Sequence, residues 1–174
     1  GFTHNIYKGL VPYKDFNMVI TPFFPFLMSF AFHIFGSNLL VFHIENCIIL
    51  VALCYLMYKL IGEKVFLVGI LALVFSNSVT FPSYNLFLLF LLVLLLYLKK
   101  KDGNDYLIGL LIAFSFLTKQ SIGFFFILPS LYYFKDKKKL LKRFVGFIIP
   151  CLCFLLFLII HHNIGEFFDL CLYL

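Results

Sequence analysis

Residues 65–98 run without a single Asp, Glu, Lys or Arg, and most of them are Leu, Phe or Val. A water-soluble domain does not accommodate such a stretch, because a folded surface needs polar groups along every exposed element. The rest of the chain is built alike. Of its 174 residues, 63% are hydrophobic and 13% charged, with a mean hydropathy of +1.05, against roughly 45–50% and 25% in soluble domains. These values exclude a soluble globular enzyme, a disordered tail and a disulfide scaffold. They leave a helical integral membrane protein, since backbone groups in lipid must be satisfied inside helices or closed barrels, and the long runs lack the alternation of barrel strands. Cys47, Cys54, Cys151, Cys153 and Cys171 lie mostly in apolar runs at spacings that match no zinc or redox motif, and read as small hydrophobes. The chain opens at Gly1 without Met or a signal peptide and closes in a hydrophobic stretch, so it is expected to be an internal piece of something longer.

The net charge of +6 invites a nucleic-acid reading, but its distribution argues otherwise. Eleven of the fourteen basic residues fall in three short segments: Lys59 and Lys64; Lys99, Lys100 and Lys101; and Lys135, Lys137, Lys138, Lys139, Lys142 and Arg143. Short loops rich in Lys and Arg stay cytoplasmic, so these charges set topology and no nucleic-acid partner is expected. An even number of spans must then separate each pair of loops. Residues 65–98 break at Ser76-Asn77-Ser78 and Pro82-Ser83-Tyr84-Asn85, giving two spans; residues 106–134 break around Thr118-Lys119-Gln120-Ser121, giving two more. Single spans at 39–58 and 144–160 complete six, with His161-His162-Asn163 emerging outside. A full span needs about 20 residues; the pieces beside the polar hinges are short, so the hinges dip toward the outer headgroups.

Parity also fixes the N-terminus. A span across the apolar residues 18–35 would put the first basic segment outside. The stretch is therefore expected as a juxtamembrane helix in the outer interface, started by Pro22 and Pro25 and ended by Gly36-Ser37-Asn38; a shallow re-entrant hairpin satisfies the same parity. The expected architecture is all-α and polytopic, with an extracytoplasmic loop and interfacial helix in 1–38 and a transmembrane helical domain of six spans in 39–174.

With the topology charges set aside, the remaining polar residues gather on the predicted outer side. Lys8, Lys14 and Lys119 are the other basic residues, joined by Asp15, Glu166, Asp169, His4, His161 and His162, with Glu45 in the outer half of the first span. Ionisable groups at membrane depth are costly and mark a functional site by default. Lys119 is the sharpest case: it snorkels to the headgroups and does nothing more, or with Gln120, Ser121 and Gly123 it receives a lipid phosphate. Glu45 is a ligand contact or a neutral helix-packing acid. Tyr13, Lys14 and Asp15 supply a hydroxyl, a cation and a carboxylate after Pro12, either as chemistry or as an ordinary exposed loop. His161 and His162 read as interfacial residues, since adjacent residues do not share a helix face to ligate a metal.

The stretch GLVPYKDFNMVITPFFPFLMSFAFHIFG resembles the first extracytoplasmic loop of the GT-C membrane glycosyltransferases. It is closest to the protein O-mannosyltransferase and lipid A aminoarabinose transferase group, with a G-x-x-P-Y-x-D-F loop and a proline-started helix ending in F-G. SYNLFLLFLLVLLLYL and GLLIAFSFLTKQSIGFFF resemble later spans of bacterial members, including their K-Q-x-x-G element. The resemblance implies a multi-pass protein of the bacterial plasma membrane that transfers a sugar from a polyprenyl-phosphate donor, on the outer face, to an unspecified acceptor. By position Asp15 matches the acid that acts as general base or orients a divalent metal, while Lys119 and Gln120 match the element near the lipid phosphate. Tyr13, Lys14 and Glu45 complete the expected substrate contacts. The family's leading acidic motif would precede Gly1, its charged residue before the helix-starting proline is replaced by Val19-Ile20-Thr21, and the Arg after F-G by the region of His43 and Glu45. The piece by itself is expected to be inactive. The rival readings are a transporter or lipid-handling module, for which polar residues near the midplane and inverted repeats would be the sign, and a truncated open reading frame.

Overall fold

Polar residues placed just ahead of apolar runs set the helix starts. The computed structural model describes residues 1–64, 69, 83–131 and 136–171. Asn38 accepts from the Leu40 amide at 3.2 Å, Ser83 from Leu86 at 3.1 Å, Asn104 from Tyr106 at 2.9 Å, and Asp136 from Lys138 and Lys139 at 3.0 and 3.3 Å. Each side chain satisfies an amide that the first turn leaves orphaned. The helices that follow are α1 (Phe2–Tyr7), α2 (Phe23–Phe35), α3 (Leu39–Ile61) with a 3-10 turn at Gly62–Lys64, α4 (Tyr84–Lys100), α5 (Asp105–Thr118), α6 (Gln120–Leu131), α7 (Lys137–His161) and α8 (Ile164–Cys171). Among the described residues the chain is all-helical, with one isolated bridge between Pro12 and Phe16.

Two of these helices are long and apolar enough to cross a membrane: Leu39–Lys64, with mean hydropathy 2.2, and Lys137–His161, with 2.7. That is fewer than the six expected. At 1.5 Å per residue, α4 rises about 25 Å and α5 and α6 about 20 Å each, short of a hydrocarbon layer of about 30 Å. The first of the two spans expected in 65–98, with its Ser76–Ser78 break, lies outside the described residues. α7 starts at Lys137, inside the basic segment, where the expected span began at 144. Lys and Arg are good helix formers, so the helix runs back through them to the Asp136 cap.

α2 is shorter than the expected 18–35, because Met18 through Thr21 belong to the loop before it. Pro22 is its N-cap and Gly36, at φ +83°, ends it in a conformation that only glycine adopts without strain. Its rings meet Phe42 of α3, Phe87 of α4, Phe114 of α5 and Phe157 of α7. Each partner is the fourth or fifth residue from one end of its own helix, so α2 crosses that end of the bundle. The main core, from Phe24 and Met28 through Ile49, Phe87, Leu91, Leu95, Ile108, Leu111, Ile112 and Phe126, joins α2 to α6.

α7 is the less covered of the two long apolar helices, with 11% of its most apolar window buried against 33% in α3. It meets α5 where glycines let the backbones touch. A Cβ at Gly109 would lie 2.0 Å from the Arg143 carbonyl oxygen, and one at Gly146 would lie 2.2 Å from the Tyr106 carbonyl oxygen. Without a hydrophobic drive between helices in lipid, such small-residue crossings carry much of the packing.

Candidate functional site

The described basic segments meet at one end of the bundle. Lys100 donates to the Leu60 carbonyl at 2.9 Å, and Arg143 pairs with Asp105 at 2.7 Å. The N-terminal loop, the α5–α6 turn, the start of α4 and the end of α7 meet at the other.

At that second end the chain turns on Lys119. Ser115 and Thr118, both fully buried, donate back to the carbonyls of Leu111 and Phe114 at 2.8 and 2.7 Å, which keeps their hydroxyls satisfied as α5 finishes. Lys119 is extended (φ −156°, ψ 104°). α6 then folds back so tightly that a Cβ at Gly123 would lie 2.2 Å from the Phe116 Cα. The Lys119 side chain is half-buried and lines a recess of about 190 Å³ with Ile20, Ser83, Tyr84 and Asn85. Its ammonium has no hydrogen-bond or ion-pair partner among the described residues. The recess therefore combines a cation with hydroxyl and amide groups at the amide-rich start of α4, where the helix dipole also favours negative charge.

The loop ahead of α2 is clamped onto this end. Tyr13 is 3% exposed and left-handed (φ +70°), and its hydroxyl donates to the Ile20 carbonyl at 2.8 Å while its ring meets Phe167 edge-on at 5.3 Å. A non-glycine residue held there costs about 1–3 kcal/mol, so the surroundings must impose it. Burial, followed by the nearby Cys171, pushes the phenol well above its ordinary value. Asn163, 1% exposed, donates to the Pro12 carbonyl at 2.7 Å, and Thr21 donates to the Phe116 carbonyl at 3.1 Å. Gln120 donates to the carbonyls of Val19 (3.2 Å) and Cys171 (3.3 Å), so its amide ties loop, turn and α8 together. Its Oε1, like Asn163 Oδ1, is buried without a hydrogen-bond partner.

The expected site residues thus divide by place. Lys119 lines the recess, and Gln120 braces the turn beside it. Tyr13 is the loop's interior anchor. Lys14 and Asp15 are exposed, and the Asp15 carboxylate accepts from the Val11 amide at 2.7 Å, closing its own turn. Glu45 shares a helical stripe with the buried Val41 and Ile49 of α3, and its Oε2 is buried without a partner. Neither Asp15 nor Glu45 lines the Lys119 recess. Ser83, Tyr84 and Asn85 do; in sequence they stand out only as a polar hinge. Asn163 carried no signal, because its partner is 151 positions away.

Among the described residues no three His, Cys, Asp or Glu side chains come together to hold a metal. His161 lies against the Phe157 ring at 4.6 Å, and His162 is the left-handed residue that ends α7. No family model, curated protein or solved structure matches the chain.

Proposed function

We propose that the chain is the membrane-embedded part of a polyprenyl-phosphate-dependent glycosyltransferase of the GT-C kind, with the Lys119 recess receiving the donor phosphate on the outer face. In this reading it is a multi-pass protein of the bacterial plasma membrane. Six spans lie at 39–58, within 65–98 (two), within 106–134 (two) and at 144–160, and α2 rests in the outer interface. The observation that carries the reading is Lys119 itself: an ammonium without a protein partner among the described residues, fixed at a sharp turn beside the start of α4. Positive charge placed there holds a lipid phosphate and stabilises the anion that departs as the sugar transfers. The segregation of the described basic segments at the opposite end supports the orientation.

Asp15, exposed on the clamped loop, is the acid assigned to general-base or metal-orienting work, with Lys14 beside it. Tyr13 and Gln120 act by holding the loop and turn in place. Glu45 contributes from α3 as a packing or substrate-facing acid. The test is sugar transfer in the full-length protein. Lys119→Ala is expected to lower turnover by at least ten-fold and Lys119→Arg to retain part of it. Unchanged transfer in Lys119→Ala overturns the assignment. Loss of donor binding in a protein that never transfers sugar would instead identify a lipid-handling module.

A further inference from the structure

The basic end of the bundle holds a second recess, of about 130 Å³, lined by Lys99, Asp102, Gly103, Asp105, Ile108, Lys139 and Arg143. Its cations come from two helices: Lys99 from the last turn of α4, and Lys139 and Arg143 from one face of α7, four residues apart. Lys137, Lys138 and Lys142 belong to the same basic run but stand outside the recess. A role in topology alone asks only for charge near the headgroups. It does not ask for three cations around one cavity.

The charges there do not cancel. Asp105 is committed to Arg143 at 2.7 Å, with both side chains largely buried at 12% and 10% exposure. Asp102 offsets one lysine, which leaves a surplus of one positive charge. Burial, and then the neighbouring Arg143 charge, hold the Lys99 ammonium below its ordinary value, the mark of cations that repel one another and are partly stripped of water. A singly charged oxyanion relieves both. The volume is several times that of a water molecule, enough for a tetrahedral phosphate.

We infer that the recess between Lys99, Lys139 and Arg143 binds a singly charged phosphate group, carried by the phosphodiester of an anionic phospholipid or by inorganic phosphate. Lysines supply point charges to its oxygens. Basic pockets between helices on the cytoplasmic side of a membrane recognise anionic headgroups in this way. The inference does not depend on sugar transfer, since it concerns the opposite end of the molecule.

The experiment uses the detergent-solubilised chain and three probes followed by phosphorus NMR: dihexanoyl phosphatidylglycerol, dihexanoyl phosphatidylcholine and inorganic phosphate. Phosphatidylglycerol is expected to bind in preference to phosphatidylcholine. Lys99→Gln and Lys139→Gln are each expected to weaken it about five-fold, Lys139→Arg to retain it, and raised salt to weaken it. Lys101→Gln removes the same charge outside the recess and is expected to leave binding unchanged. If inorganic phosphate binds with this variant pattern and the lipid does not, the phosphate site stands and its source is the free ion. Binding of neither anionic probe, or an equal loss in Lys101→Gln, overturns the inference.

Discussion

Gly109→Ala places one methyl group where the structure has no room for it. The new Cβ would lie 2.0 Å from the Arg143 carbonyl oxygen and 2.8 Å from its carbonyl carbon. Ordinary van der Waals contact begins near 3.4 Å, so the atoms must separate by the difference, 1.4 Å. Both obstacles are backbone, and no side chain can rotate away; α7 itself has to shift. A gap of about 0.5–1 Å already forfeits a quarter to a half of each dispersion contact, and overpacking of this kind costs about 1–3 kcal/mol. Against this, alanine gains about 1 kcal/mol of helix propensity over glycine. Because both obstacles are backbone, the upper part of the overpacking range, about 2–3 kcal/mol, applies, and the net expectation is a loss of about 1–2 kcal/mol. For a chain of this size 1 kcal/mol moves the midpoint by about 2–4 °C, so thermal unfolding in detergent should shift down by about 2–8 °C. Gly165→Ala is the control, because nothing lies within 4 Å of a Cβ there; its propensity gain is unopposed and its midpoint should hold or rise. A Gly109→Ala midpoint that equals or exceeds the parent's refutes the backbone crossing of α5 and α7.

The clamped loop and the buried ion pair yield two more expectations. Tyr13→Phe removes the donor to the Ile20 carbonyl and should cost about 1–2 kcal/mol, measured by the same melts. Because the folded phenol titrates above its unfolded value near 10, its contribution is complete below that pH and falls as pH rises beyond it; the variant should show a flatter loss of stability between pH 9 and 11. Asp105→Asn leaves the buried Arg143 guanidinium without its carboxylate and should destabilise by about 3 kcal/mol, whereas Asp105→Asn with Arg143→Leu should lose clearly less. A double variant as unstable as the single one would show that the pair is not the interaction that matters.

The features legible in the sequence are those set by neighbours along the chain. Asn38 and Ser83 stand in the breaks expected at Gly36-Ser37-Asn38 and Pro82-Ser83-Tyr84-Asn85, and each caps the helix that follows, an interaction that spans only two or three residues. Gly36 announced an end, and Thr118-Lys119-Gln120-Ser121 a break, since a polar tetrad interrupts two apolar runs. α7 starts seven residues ahead of the span expected at 144–160, as charge marks where lipid begins and says little about where helical backbone does. Tyr13 was assigned to substrate because a hydroxyl beside a lysine and an aspartate looks exposed in one dimension. Its partners Phe167 and Cys171 are in place only once α8 has packed, and its hydroxyl reaches the Ile20 carbonyl only once the loop has folded back on itself. Gly109 and Gly146 likewise read as ordinary glycines until their helices cross. The Lys119 recess was half legible: its cation and its Ser83-Tyr84-Asn85 wall were each noticed as hinges, and their meeting depends on how α4 and α5 pack.

The scant cover on α7 has a consequence for how the protein is made. In the proposed orientation, a helix with so little cover from its neighbours enters the bilayer without waiting for them, and its five cations from Lys137 to Arg143 hold its leading end at the cytoplasmic surface. α3 can do the same early in synthesis. The short helices translated between them cannot, since α5 carries a largely buried aspartate and a glycine and is only about 20 Å long. On the proposed topology they depend on a partner that the ribosome delivers later, and assembly runs backward at its centre: the last long helix to emerge settles those that came before it.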